Sequence, residues 1–148
     1  MSNRQELLAA LVGRLSAITI AGGFSTDAGL TLFLGDVPAL GPDDPDSVLA
    51  VVVGDDNPKW QGQNLLIGLP VHVAMIAKAD LDDAWLTIEA MLADVKRAVE
   101  LEDRTLGKRT KGPIERGTTR TMPREPGSTT VGTMITYWLP YTEVWGNP

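Results

Sequence analysis

The residues able to carry chemistry are few: one histidine, nineteen Asp and Glu, thirteen Lys and Arg, and no cysteine in 148 residues. The histidine, His72, lies inside the apolar run Leu69-Pro-Val-His-Val-Ala-Met-Ile-Ala-Lys78. General acid–base work there would need a second group matched to it, and no nucleophile and carboxylate are spaced around it. A hydrogen-bonded histidine in or beside the core is the reading its setting favours. Without cysteine there are no thiolate nucleophiles, cysteine-ligated zinc, iron–sulfur clusters or disulfides. With a single histidine, a two-histidine metal site cannot be built within one chain.

Asp43, Asp44, Asp46, Asp55 and Asp56 gather in two loops flanking one apolar run. Carboxylates so placed would suit Ca²⁺, but their spacing does not follow the EF-hand loop, and a pair of solvated acidic loops is the simpler reading. Gly22-Gly23 is too short to cradle a phosphate, and no nucleotide-binding glycine loop, nucleophile elbow or HExxH motif occurs. The expectation is a protein that is no enzyme and needs no cofactor or metal.

The charges are unevenly spread. Residues 104 to 125 hold seven basic residues, Arg104, Lys108, Arg109, Lys111, Arg116, Arg120 and Arg124, against Glu115 and Glu125, a net of +5 in a chain of net −6. Such a segment would attract a nucleic-acid backbone, but it has no aromatic residue to stack on bases and the chain as a whole is acidic. Two other readings remain open: an exposed hairpin, or a basic arm that meets the acidic body of an identical neighbour, where charge sets the register of a repeated contact. Trp138 and Trp145, with Tyr137 and Tyr141, form an aromatic group near the C-terminus, suited either to a core or to anchoring a protein contact.

The elements that must position these residues are legible from periodicity. Ser2-Asn3-Arg4-Gln5 fits a capping box, and Leu7, Leu8, Leu11, Val12, Leu15 and Ile18 then recur at helical spacing. Gly22-Gly23 reads as the helix stop, and Gly13 as a possible site of close helix contact. Gly29 to Gly35 and Ser47 to Val53 read as strands between loops rich in Pro and Gly. Leu69 to Lys78 is apolar on both alternating faces, Val71, Val73 and Met75 on one and Ala74 and Ile76 on the other, which predicts a central strand covered on both sides. A second helix is expected from an Asp80 cap, with Asp82 and Asp83 in its first turn. Its stripe is Leu81, Trp85, Ile88, Leu92, Val95 and Val99, broadened by Ala84, Met91 and Ala98, and it runs out near Leu106-Gly107 with Arg104 and Lys108 at its end.

The final strand alternates clearly, Val131, Thr133, Ile135, Tyr137 and Leu139 one way and Met134, Thr136 and Trp138 the other. It is entered through a hairpin from residues 113 to 122, with Pro140 limiting its pairing. These elements predict an α+β fold: a mixed, mainly antiparallel β-sheet packed with two amphipathic helices, plus an extended, protruding basic hairpin over 104–125. At this length one domain over residues 1–148 is expected, large enough to bury a core without staples. The first 23 residues, interrupted by Arg4, Glu6 and Arg14, do not read as a signal peptide, and the uncharged stretches 60–77 and 126–142 are too polar and too rich in proline to read as membrane spans. The expected compartment of synthesis is the cytoplasm.

Taken in order, the chain reads helix, three strands, long helix, basic hairpin and terminal strand. The N-terminal helix leads to Gly22-Gly23-Phe24, a strand leads into the helix carrying Trp85, Leu106-Gly107 follows, and an aromatic strand runs into Tyr141-Thr-Glu-Val-Trp-Gly-Asn-Pro148. Over nearly its whole length this pattern resembles the tail terminator, or tail completion, family of long-tailed bacteriophages (minor tail protein U type). The resemblance implies a non-enzymatic virion protein, assembled in the host cytoplasm. It would form a homo-oligomeric ring, commonly a hexamer, that caps the tail tube at the tail–neck junction, stops its polymerisation and offers the head-docking surface. The implied partners are the tube protein, the head–tail connector or neck protein, and DNA passing without sequence-specific binding. On this view the basic residues and Trp138 and Trp145 serve subunit or tube contacts. The acidic loops, if they line the lumen, repel passing DNA. The alternatives are another ring component of a phage neck, a small ligand-binding α+β domain built around His72, and a nucleic-acid-binding module.

Overall fold

The computed structural model describes every residue except Leu81 and Glu125. It has an α+β fold: two helices and a six-stranded, mostly antiparallel sheet. The first helix, α1 (Asn3–Ser16), starts as its sequence requires, with the Ser2 hydroxyl accepting from the Gln5 amide and the Gln5 side chain accepting from the Ser2 amide. Leu7, Leu11 and Leu15 make its buried stripe. Gly22-Gly23 does not end it; the helix stops at Ser16, with Ala17 as its C-cap. The reason lies in the turn Ala28–Leu30, which crosses just beyond, so that the Gly29 amide donates to the carbonyl of Ile18 at 2.9 Å. A Cβ on Gly29 would stand 2.2 Å from the Leu15 carbonyl oxygen, so this crossing requires glycine. Gly13 faces open space and supports no helix contact.

The expected strand at 29–35 shortens to β1 (Leu32–Leu34), which pairs parallel with β2 (Ser47–Val53). β2 has the bounds its sequence predicts. A strand not anticipated, β3 (Asn57–Gln61), turns through Gly62 into β4 (Asn64–Lys78), a central strand of 15 residues. β4 pairs along its full length with β6 (Thr130–Val144), while on its other side it takes β3 over Asn64–Gly68 and β2 over Val71–Ala77. Pro70 falls in the gap between β2 and β3, where its carbonyl accepts from the Gly54 amide and its missing N–H breaks no ladder. Pro140 is likewise no terminator: its carbonyl accepts from Lys111, so its donor-less side points away from β4 and β6 continues to Val144.

The second helix, α2 (Ala84–Glu100), starts later than expected. Asp80 does not cap it: Asp83 is the N-cap, in a left-handed conformation (φ 55°) and without a side-chain cap bond, and Asp82 and Asp83 precede the first turn. Leu81, predicted for the stripe, lies outside the described residues. Ile88, Met91, Leu92, Val95 and Val99 are buried as the spacing predicts, but Trp85 is exposed, because Ala84 takes the inward position against Ala77 and Val131. The helix ends at Glu100 rather than near Leu106-Gly107, where three successive positive φ angles at Leu106, Gly107 and Lys108 exclude helix.

Both helices cover one face of the sheet. Their stripes meet Leu49, Val51, Val71, Val73, Met75, Ile135, Tyr137 and Leu139 in the main core. On the other face only a smaller cluster is covered, where Leu40 packs with Val48, Ala50, Ala74 and Ile76 and Phe33 of β1 lies beside them. The cover predicted for both sides of β4 is therefore complete on one side and local on the other.

Candidate interaction surface

All four tryptophans are at the surface: Trp60 is 73% exposed, Trp145 63%, Trp85 47% and Trp138 40%. Indole burial is among the largest single gains a fold can make, yet here the core takes Tyr137 and Tyr141 and leaves every tryptophan partly or largely exposed. Exposed aromatic anchors of this kind mark contact surfaces. The C-terminal aromatic residues therefore do not form one group. Tyr137 and Tyr141 turn to the helices, Trp138 lies on the opposite face against Gly68, and Trp145 stands beyond the strand.

Trp60 and Trp145 share one end of the molecule. The β3–β4 turn lies beside the end of β6, with the Trp145 amide donating to the carbonyl of Gln63 and Val144 in register with Asn64. Trp85 and the 68%-exposed Leu86 lie at the other end, where β4 has run to Lys78 and α2 begins. Trp60 becomes a contact candidate only in the folded chain, and Trp85, part of the helical stripe by its spacing, stands outside the core. The only signal for Trp60 was an aromatic residue between Lys59 and Gln61 in a polar hairpin.

The basic residues separate into three places. Arg104, Lys108, Arg109 and Lys111 lie in turns after α2 that are tied down rather than free. There the Lys111 amide donates to the Pro140 carbonyl at 2.6 Å and Ile114 to the Arg104 carbonyl at 2.7 Å, with Leu106 and Ile114 buried beneath. Asp103 organises this entry by accepting from the Thr105 hydroxyl and from the amides of Gly107 and Thr105, and it pairs with Arg14 at 3.1 Å. Those bonds, the Thr105 hydroxyl foremost, hold its carboxyl well below the usual carboxylate range. Arg116 and Arg120 lie on β5 (Glu115–Met122), the edge strand paired with β6. Arg124 follows β5, beside the start of α2.

Arg116 is committed within the chain. It grips the Glu100 carboxylate with Nε at 3.0 and 3.1 Å and Nη2 at 2.6 Å, and the Tyr137 hydroxyl donates to the same carboxylate at 2.8 Å. The hydrogen bond to Glu100 raises the arginine's pKa, while burial and then that bond push the Tyr137 hydroxyl far above its ordinary range. Tyr141, buried and bonded to Glu143, is pushed up to about 12. The triad locks α2, β5 and β6 together, so Arg116 is a fixture of the fold.

The acidic residues do not converge. Asp43, Asp44 and Asp46 precede β2 and Asp55 and Asp56 follow it, at opposite ends of seven residues of strand. Asp44 accepts from the Gly41 amide at 2.7 Å, Asp46 lies 3.6 Å from Lys78, and Asp56 pairs with Arg4 at 3.1 Å. Among the described residues no three metal-ligating side chains come together. His72 lies on the less covered face, its Nδ1 2.7 Å from the Thr136 hydroxyl. Its Nε2 would be 3.0 Å from a Cβ on Gly54. No carboxylate hydrogen-bonds it among the described residues, so the setting is that of a satisfied polar residue.

No protein-family model matches the chain, and no curated protein matches it either. Among the described residues no helix is long and apolar enough to cross a membrane.

Proposed function

We propose that the protein is a structural, non-catalytic subunit that assembles with copies of itself into a ring, and that this ring terminates a bacteriophage tail tube and receives the head. The observation that carries the reading is the exposure of all four tryptophans, large apolar side chains suited to contacts with neighbouring subunits. The tail assignment itself rests on the resemblance read from the sequence, in the N-terminal helix, the helix carrying Trp85 and the aromatic C-terminal strand, to which the structure adds β3.

In this reading the turn cations Arg104, Lys108, Arg109 and Lys111, together with Arg120 and Arg124, face a neighbouring subunit or the tube protein. Arg116 braces the strand that presents them, and Trp138 offers a flat anchor on the less covered face. The acidic loops at Asp43 to Asp46 and Asp55-Asp56 face the lumen, where they keep passing DNA from sticking. A neck or connector protein would occupy the ring's other face.

The test is mass in solution, by light scattering coupled to size exclusion across protein and salt concentration, with negative-stain images and with purified tail tubes added. Closed rings, or monomers that close into rings on tube ends and halt their growth, are the expected result. A monomer that ignores tube ends would end the proposal.

A further inference from the structure

The two exposed aromatic sites are unlike in shape and lie at opposite ends of one strand. β4 runs 15 residues from Asn64 to Lys78, about 45 Å at the rise of an extended chain. At the Asn64 end Trp60, Val144 and Trp145 project, all at least 47% exposed. At the Lys78 end is an open cavity of about 540 Å³, with Ala79, Ala84, Trp85, Leu86 and Val131 as its apolar lining. Its rim is formed by the partly exposed Trp85 and Leu86, so it is an open depression with room for an indole. One end is a knob and the other a hole.

The charges also complement each other. The hairpin from Asn57 to Asn64 carries Lys59 as its one charge, with the Glu143 carboxylate on the neighbouring strand. The cavity lining carries one charge of each sign, Asp83 and Arg124, so Lys59 can meet the one and Glu143 the other. Within one chain the two sites cannot meet, since the strand that joins them holds them apart. A two-fold contact between two knobs would cover one apolar site and leave the other wet. A knob-into-cavity contact covers both; repeated head to tail it generates closed rings or open filaments, whereas a reciprocal two-fold pair would stop at a dimer.

We infer that the hairpin end of one copy, through Trp60 and Trp145, docks into the Trp85–Leu86 cavity of a second copy. The inference rests on the reading of the protein as a self-assembling subunit, and it names the junction.

The experiment uses two full-length variants: a knob variant, Trp60→Ala with Trp145→Ala, and a cavity variant, Trp85→Ala with Leu86→Glu. All four positions are on the surface, and circular dichroism checks that both variants remain folded. Each alone is expected to associate at least about 30-fold more weakly than wild type, the loss typical of a deleted hot spot. Mixed in equal amounts, they retain one intact knob and one intact cavity, and should form a species of twice the 15.9 kDa chain mass that goes no further. Rings formed by both variants as readily as by wild type would overturn the junction and leave the ring reading standing. A monomeric knob variant beside a cavity variant that still assembles, with no rescue on mixing, would also overturn it in favour of knob-to-knob contact. Wild type that stays monomeric at every concentration and on tail tubes would overturn both.

Discussion

The two faces of the sheet are made by the same strands and end in different states. On β6 the odd positions Val131, Thr133, Ile135, Tyr137, Leu139 and Tyr141 are all buried, while Met134 and Thr136 are half-buried and Trp138 is exposed. The alternation is of one kind throughout, and what differs is the cover. Two helices lie over one face, and the other has only the segment carrying Leu40 over one end. The stability of the fold is thus concentrated on the helix side, leaving the other face, with the two strand ends, free to vary for contacts.

The largest effect should come from breaking the covered face. Leu11→Ala, which opens a cavity between α1 and the sheet, is expected to cost about 2–5 kcal/mol, read from denaturant unfolding. Next is Gly29→Ala, which forces a methyl onto the Leu15 carbonyl where backbone must move and should cost about 1–3 kcal/mol, read as a fall in melting temperature. An alkaline titration sharpens the same contrast. The folded chain keeps Tyr141 protonated to about 12 while the unfolded chain releases it near ~10. This contribution to stability is complete below pH ~10 and is lost as pH rises toward about 12, with Tyr137 adding in the same direction. Tyrosinate absorbance that rises at pH ~10 with the fold intact would contradict it. The smallest effect belongs to the other face: Trp138→Ala should change monomer stability by less than about 1 kcal/mol. A loss as large as that of Leu11→Ala would mean that the two faces are not energetically distinct.

Legibility followed the range of the interaction. The capping box, the strand Ser47–Val53 and the alternation of the last strand depend on residues a few positions apart, and they stand as their spacing predicts. The stripe of α2 is also local, and among its described residues it departs from expectation at Trp85, where the sheet's end rather than the helix decides what is covered. β3 escaped notice because Asn-Pro-Lys-Trp-Gln has no strand-like pattern of its own and is held by pairing with β4. Of the candidate contact residues, composition found the basic run and Trp138 and Trp145. It could not tell Arg116, clamped by Glu100 from 16 residues away, from Arg120 beside it on the strand.

By itself the sequence determined the centres of both helices and of every strand but β3, which of their sides is apolar, and that seven of the thirteen basic residues fall in one stretch, because all of these follow from composition and from periods of two and 3.6 residues. Only the tertiary structure decided which apolar side received a cover, that α1 yields to the crossing at Gly29, that the acidic loops stand apart, and that all four tryptophans remain partly or largely exposed. Those outcomes depend on contacts between residues distant in the chain, and burial is a property of the neighbours a residue meets rather than of the residue.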